Sequence, residues 1–186
     1  MKRMKRILGL LLYHMIGKHL PKSYARVNLG SKGIRLFCGK LILDECGKGV
    51  NIDKGASFPT NMTIGNYSGV GSNSNIWGET HIGDYVMMGS DCQIYTRNHC
   101  FDRIDIPMCK QGFQKERPVY IGDDVWIGGQ VTILPGVKIG NHCIIGTSSV
   151  VTKNIPDYAI AAGNPAKVIR FRNSLETESS GDNKDE

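Results

Sequence analysis

Several features that define other protein classes are scarce in this sequence or missing from it. Aromatic residues make up 8% of the 186 residues, and none of the six cysteines forms a CxxC pair. The apolar run at residues 7–16, ILGLLLYHMI, is too short to span a bilayer as a helix. Because no small-residue cleavage site follows that run, we expect a cytoplasmic protein with reduced thiols, not a disulfide framework.

Acidic residues are absent from residues 1–35, which carry nine Lys or Arg. The net charge is +6, but no DNA- or RNA-binding motif accompanies it, so we expect no nucleic-acid partner. Residues 174–186 are acidic, polar and free of aromatics, and this composition predicts a disordered tail.

The apolar run near the N-terminus has helical periodicity. Its apolar residues share one helical face, and they are Ile7, Leu8, Leu11, Leu12, Met15 and Ile16. We favour a helix that packs through this face on its own domain or on a partner subunit. The alternative is a helix that associates weakly with a membrane surface.

The strongest pattern is an internal repeat of six residues. Apolar anchors recur at this spacing in two runs: Ile52, Phe58, Ile64, Val70, Ile76, Ile82, Met88 and Ile94, and then Ile121, Ile127, Ile133, Ile139, Ile145 and Val151. Neither a helix nor an alternating strand repeats every six residues, whereas a short strand followed by a tight turn does.

The residue after each anchor reveals a longer period of eighteen. Glycine follows two successive anchors and a different residue follows the third, as in Gly65, Gly71 and Trp77, and this order occurs four times. Three six-residue sides per turn predict a triangular coil whose anchors point inward and stack at strand spacing. The fourth residue after each anchor is often small or β-branched, so we interpret Cys92 and Cys143 as core residues, not nucleophiles.

The extent of the repeat and the charge pattern divide the chain into four parts. We predict a helical cap at 1–49, an all-β catalytic coil at 50–156, a C-terminal cap at 157–173 and the tail at 174–186. The two runs of anchors are out of phase, and the polar segment 100–119 between them lacks the repeat, so it predicts an extruded loop.

His99 is the candidate catalytic residue because it lies where this loop leaves the coil. A neutral imidazole can act as a general base near neutral pH. His81 and His142 lie within the repeats, where they should face solvent or a neighbouring subunit.

The runs IGDYVMMGSDCQI and IGDDVWIGGQVTILPGVKIGNHCIIGTSSVVTKNIP, followed by AAGNPAKVIR, resemble the hexapeptide-repeat acyltransferases. The resemblance covers about residues 50–172, and the LPKSY segment also looks like that of polysaccharide-modifying members. It implies a left-handed parallel β-helix, a homotrimer, acetyl-CoA as co-substrate, no metal and a small sugar acceptor. It also implies that His99 is the general base of an O-acetyltransferase, with a sugar of a surface polysaccharide as the favoured acceptor. In such acyl transfer the neutral imidazole takes the proton of a hydroxyl as the hydroxyl attacks the thioester carbonyl. The backbone N–H groups of Gly128 and Gly129 are candidate donors to the resulting oxyanion, since glycine permits close approach.

The same resemblance assigns the residues of the two substrate sites. Those implied to bind the donor are Trp126, Gly129, Thr147, Lys153, Lys167 and Arg170. Gly71 stands where galactoside acetyltransferases have an asparagine that contacts the acceptor, and Asn73 and Asn75 are the candidates to replace it.

Other functions remain open from the sequence. A zinc hydratase on this fold would require three histidine ligands, and the HxxxxH spacing typical of it is absent. A non-catalytic scaffold is a further alternative, and so is an acetyltransferase whose acceptor is serine, an amino sugar or an antibiotic.

Overall fold

The six-residue pattern forms a coil of short parallel strands in the computed structural model, which describes residues 2–174. The segment 174–186, predicted to be a disordered tail, lies outside the described residues except for its first residue.

The strands form three faces of a triangular coil. The first face contains β1 (Glu45–Cys46), β3 (Thr63–Ile64), β6 (Thr80–Ile82), β9 (Val119–Ile121) and β12 (Lys138–Ile139). The second face contains β2 (Asn51–Ile52), β4 (Gly69–Val70), β7 (Met87–Met88), β10 (Trp126–Ile127), β13 (Ile144–Ile145), β15 (Ala159–Ala162) and β16 (Lys167–Phe171). The third face contains β5 (Asn75–Trp77), β8 (Gln93–Tyr95), β11 (Thr132–Ile133) and β14 (Val150–Val151). We call the turns from first to second, second to third and third to first face the first, second and third corners.

Strand register confirms the predicted eighteen-residue period. Thr63 pairs in parallel with His81 on the next coil, and Ile64 pairs with Ile82. The anchors are buried or partly buried, and the fourth residues after them, including Cys92 and Cys143, are buried as a second interior column, except for Asn98 in the extruded loop. Burial of an aliphatic anchor contributes about 1.5–3 kcal/mol, so the stacked columns supply much of the stability of the coil.

Close stacking at two corners explains why glycine follows two anchors of every three. A side chain at Gly65 would meet the backbone of Gly83 on the next coil at 2.6 Å, and one at Gly128 would meet the backbone nitrogen of Thr147 at 2.6 Å. At the third corner the corresponding residues Trp77 and Tyr95 are exposed, so bulky side chains fit there.

The N-terminal segment contains two α-helices, α1 (Lys2–Met15) and α2 (Ser31–Ile42), of which only the first was predicted. α1 packs on its own domain as expected, but of the six apolar residues assigned to that contact only Leu12 packs against the core, and the other five are exposed in the single chain. The buried residues of α1 are Gly9 and Tyr13, and the Tyr13 hydroxyl donates a hydrogen bond of 2.7 Å to the carbonyl oxygen of Ala56. Gly9 permits this packing because a side chain there would meet Leu41 at 2.7 Å.

Arg35 ties α2 to the start of the coil. Its side chain is fully buried, lies 3.5 Å from the Asp53 carboxylate, and donates a hydrogen bond of 2.6 Å to the carbonyl oxygen of Ile52. β1 lies within the segment 1–49 that the sequence assigned to the cap, so strand pairing starts before residue 50.

At the other end, the coil continues past residue 156. β15 pairs in parallel with β13, and β16 then folds back antiparallel on β15, within the segment 157–173 predicted as a cap. Among residues 2–174, no helix is long and apolar enough to cross a membrane.

Candidate active site

An extruded loop leaves the coil at the third corner. Ile82 pairs with Ile121, 39 residues further on and 21 more than the usual eighteen. The extra residues begin as a two-stranded ribbon, in which Arg117 donates its backbone N–H to Thr96 and Cys100 donates its own to Gly112. This ribbon fixes where the catalytic candidate lies.

His99 lies in the ribbon opposite Phe113 and is exposed to solvent. The two rings contact each other with their centroids 4.2 Å apart, and the Arg97 guanidinium lies 4.2 Å from the centroid of the same Phe113 ring on a cation–π contact. The imidazole is therefore held against an aromatic ring and open to a reactant that approaches from solvent.

Glu116 fastens the returning strand of the ribbon to the coil. One carboxylate oxygen accepts hydrogen bonds of 2.8 Å from the backbone N–H of Glu79 and from the Thr96 hydroxyl. These two bonds hold the pKa of Glu116 below its ordinary value, the Glu79 N–H contributing most. The sequence analysis missed both Glu116 and Phe113, because the loop carries no repeat that would indicate where its side chains lie.

Most of the residues implied to bind the donor lie along one edge of the C-terminal coils, which we call the upper coils. Trp126 is exposed on β10, while Gly129 and Thr147 occupy equivalent positions of the second corner on successive coils. Lys167 and Arg170 are on β16, paired with Ala162 and Ile160 of the second face.

The remaining assigned residues lie elsewhere. Lys153 is at the third corner, above the extruded loop and away from the other five donor-side residues. Asn73 is at the second corner with a left-handed backbone (φ 57°), and Asn75 begins β5 and donates a side-chain hydrogen bond of 3.2 Å to the Asn73 carbonyl oxygen.

A cavity of about 470 Å³ lies directly below the donor-side residues on the second face. Met87, which pairs with Trp126 across adjacent strands, is part of its wall, and Ser72 and Ser90 line it at 2.9 Å from each other. Lys22 and Lys32 reach it from the N-terminal segment. Asp53, which is paired with Arg35, is also part of the wall, so the cavity combines hydroxyl groups, two lysines and one neutralised carboxylate next to the edge that carries Trp126.

One proposed oxyanion donor is excluded. The backbone N–H of Gly128 donates a hydrogen bond of 2.8 Å to the carbonyl oxygen of Ile145 as part of the strand ladder, so it cannot also face a reactant. Gly129, one residue further into the corner, is the candidate donor that remains.

Each histidine inside the repeats forms a hydrogen bond with a side chain of the preceding coil. His81 hydrogen-bonds through its two ring nitrogens with Glu79 and Thr63, each at 3.0 Å, and His142 lies 2.9 Å from the Asp124 carboxylate. Within residues 2–174, no group of three His, Cys, Asp or Glu side chains could hold a metal ion.

The cysteines in the coil are poorly suited to nucleophilic chemistry. Cys92 and Cys143 are buried in the interior column, and burial is the main factor that raises the pKa of both thiols. A raised pKa leaves less of the reactive thiolate at neutral pH, which agrees with their interpretation as core residues.

His99 and the donor-side residues do not meet within one chain. His99 is at the third corner, Gly129 and Thr147 are at the second corner, and Trp126 is on the second face. The third face of the triangle thus separates His99 from these residues, which are implied to bind the donor.

The fold and the repeat define a hexapeptide-repeat parallel β-helix, and a family model described as bacterial transferase hexapeptide (six repeats) matches residues 118–153. The crystal structure of a maltose O-acetyltransferase from Clostridium difficile 630 is 31% identical with a TM-score of 0.72, covering 91% of this chain and 87% of that one. The chain belongs to the hexapeptide-repeat acetyltransferase family, and its coil is the left-handed β-helix of that family.

Two further relatives extend the comparison. A galactoside acetyltransferase, solved in complex with coenzyme A, is 27% identical with a TM-score of 0.72, covering 95% of this chain and 84% of the other. A probable acetyltransferase of Mycobacterium tuberculosis is 45% identical over 98 residues, which are 53% of this chain and 32% of that protein. The match thus spans about a third of the length of this curated relative.

Proposed function

We propose that this protein is an O-acetyltransferase that moves an acetyl group from acetyl-CoA to a hydroxyl of a sugar, with a surface polysaccharide as the source of that sugar. The contrast among the histidines supports this most directly. His81 and His142 each hydrogen-bond to a side chain of a neighbouring coil, whereas His99 lies exposed at the root of the extruded loop. Likeness to maltose and galactoside acetyltransferases supports the acetyl donor and a sugar acceptor.

His99 acts as the general base in this proposal. Its neutral imidazole takes the proton of the acceptor hydroxyl while the hydroxyl oxygen attacks the thioester carbonyl. The tetrahedral oxyanion accepts a hydrogen bond from the Gly129 N–H and then collapses, so that the carbon–sulfur bond breaks and the thiol of coenzyme A leaves with the proton. No acyl-enzyme forms, which agrees with the buried state of Cys92 and Cys143.

The donor and acceptor take adjacent parts of the second face. Coenzyme A lies along Trp126, Gly129 and Thr147, with Lys167 and Arg170 near its phosphates and Lys153 as a further contact. The acceptor enters the cavity below, where Lys22 and Lys32 favour a sugar that carries a carboxylate or phosphate. Asn73 and Asn75 are acceptor contacts at the adjoining corner.

A homotrimer completes the site in this proposal. Three triangular coils that meet around a threefold axis can place the extruded loop of one subunit against the second corner of the next. His99 of one subunit then serves the donor edge of its neighbour.

Replacing His99 with alanine tests the mechanism. The kcat for acetyl transfer should fall by roughly 10²–10⁴-fold, the usual contribution of a general base. Affinity for coenzyme A, measured by calorimetry, and the melting temperature should not change, because the exposed imidazole contacts neither phosphates nor the core. His19→Ala, at another exposed histidine, is the matched control. Acetyl transfer by His99→Ala at the wild-type rate would refute the role.

Acceptor profiling with labelled acetyl-CoA tests the substrate class separately. We expect transfer to acidic sugars to exceed transfer to their neutral counterparts, and Lys22→Gln with Lys32→Gln to remove that preference. Preferential transfer to serine or an amino group would overturn the assignment as a sugar O-acetyltransferase.

A further inference from the structure

The side of α1 that faces away from the coil is apolar. Its exposed side chains, with the exposed fraction of each, are Met4 (73%), Ile7 (50%), Leu8 (53%), Leu11 (55%) and Met15 (76%). On a helix that turns by about 100° per residue, they lie opposite Gly9 and Tyr13, which are buried against the domain. We call these five residues the outer face of α1.

A groove between the two helices extends this surface. Leu12 and Ile16 of the N-terminal segment and Ile34 and Phe37 of α2 line a cavity of about 350 Å³ whose wall is almost entirely apolar. Phe37 is 56% exposed there. An apolar surface that continues across two helices is larger than the scattered exposed residues of an ordinary protein surface, and it indicates a partner.

The charges around the outer face have a single sign. Residues 1–43 contain ten Lys or Arg and no Asp or Glu. The first acidic residue, Asp44, forms ion pairs with Lys2 at 3.0 Å and with Arg6 at 2.5 Å. Arg3 and Lys5 lie on the two flanks of the outer face, where long basic side chains can reach an anionic surface while the apolar residues between them are buried.

We propose that the outer face of α1 docks on the surface of an anionic lipid bilayer, with the helix lying in the plane of the interface. A helix of 14 residues is too short to span a bilayer but long enough to lie on one with its apolar side among the acyl chains. A second copy of this chain fits the surface poorly, because a twofold contact through the outer face would bring two sets of these cations together. Docking goes beyond acetyl transfer and does not depend on it.

Vesicle co-sedimentation of the full chain tests the proposal. The wild type should sediment with vesicles that contain about 30% anionic phospholipid, and the bound fraction should fall in about 0.5 M salt or with uncharged phosphatidylcholine vesicles. Leu8→Gln with Leu11→Gln should lower the partition coefficient by about tenfold or more, because two of the inserted side chains become polar. Arg3→Gln with Lys5→Gln should remove most of the salt dependence.

Two controls keep the result interpretable. Ile104→Gln changes a fully exposed apolar residue of the extruded loop and should leave vesicle binding unchanged. Circular dichroism should show that the Leu8→Gln, Leu11→Gln variant is folded. Absence of wild-type binding to anionic vesicles, or equal binding by that variant, would overturn the proposal. The proposal would also be overturned by two results together: the variant has a lower oligomeric mass than the wild type in light scattering, and the wild type binds no vesicles.

Discussion

Single glycines set the spacing between coils at two of the three corners. A side chain at Gly71 would overlap the carbonyl oxygen of Gly89, and one at Gly89 would meet the backbone nitrogen of Gly129 at 2.5 Å. Because the obstacle is backbone, it cannot move aside without breaking the hydrogen bonds between strands. The Gly, Gly, not-Gly order in the sequence therefore reflects which corners stack backbone on backbone.

Gly71→Ala should destabilise the protein, whereas Gly33→Ala should not. Overpacking against the Gly89 backbone is expected to lower the free energy of unfolding by about 1–3 kcal/mol. At Gly33, inside α2, no atom lies within 4 Å of an added side chain, and alanine should raise stability by up to about 1 kcal/mol through its helix propensity. Urea denaturation of both variants measures the difference, and equal effects would show that corner stacking is not the constraint.

The extruded loop is held by its own ribbon and by one anchoring side chain. The two hydrogen bonds accepted by Glu116 join the returning strand to Glu79, just before β6, and to the start of the loop. Both stabilise the ionised carboxylate, so the anchor is expected to depend on pH.

Glu116→Ala should lower the melting temperature at pH 7 by about 1–4 °C, a loss of about 0.5–1 kcal/mol after allowance for solvent screening. The pKa of Glu116 is lowered in the folded state, so its contribution is complete above the unfolded value of about 4.3 and is lost as the pH falls through the folded value. The difference between wild type and variant should therefore shrink in melting curves recorded below pH 4. Glu116→Gln, which keeps an acceptor oxygen, is the conservative control, and a difference that grows in acid would contradict the anchor.

At the scale of the whole molecule, the separation of His99 from the donor edge points to a site shared between subunits. His99 lies at the third corner, and Gly129 lies at the second corner across one face. In a cyclic trimer every interface is the same head-to-tail contact, so three equivalent shared sites would form.

Mixing two inactive variants should restore activity if the site is shared. His99→Ala removes the base, and Gly129→Phe fills the donor edge, where an added Cβ meets no atom of its own chain closer than 3.4 Å. Random co-assembly should give roughly a quarter of wild-type activity, because one site in four then takes both intact residues from different subunits. Activity that stays at the level of the separate variants, or a monomeric mass in light scattering, would contradict the trimer.

The N-terminal segment shows what sequence periodicity alone could not predict. The pattern predicted a helix over the apolar run, and α1 forms there, but periodicity alone favoured burial of the face that includes Leu8 and Leu11. The buried side is instead chosen by Gly9, which permits close approach, and by the Tyr13 hydroxyl bonded to Ala56 on the coil. Such contacts join residues far apart in the chain and leave no local pattern.

The sequence by itself determined the coil, because a six-residue spacing of anchors with glycine after two in three can be satisfied only by short strands stacked at a fixed rise. It also located the break between the two runs of anchors, and with it His99 at the edge of the loop. Only the tertiary structure decided that Phe113 and Glu116 support the loop and that Lys153 lies apart from the other donor-side residues. It also decided that the backbone N–H of Gly128 is used in a hydrogen bond between strands. Those outcomes depend on which corner of the triangle each residue occupies. Strand pairing between coils fixes that corner, and the sequence pattern gives the number of residues per coil but not how the coils are oriented.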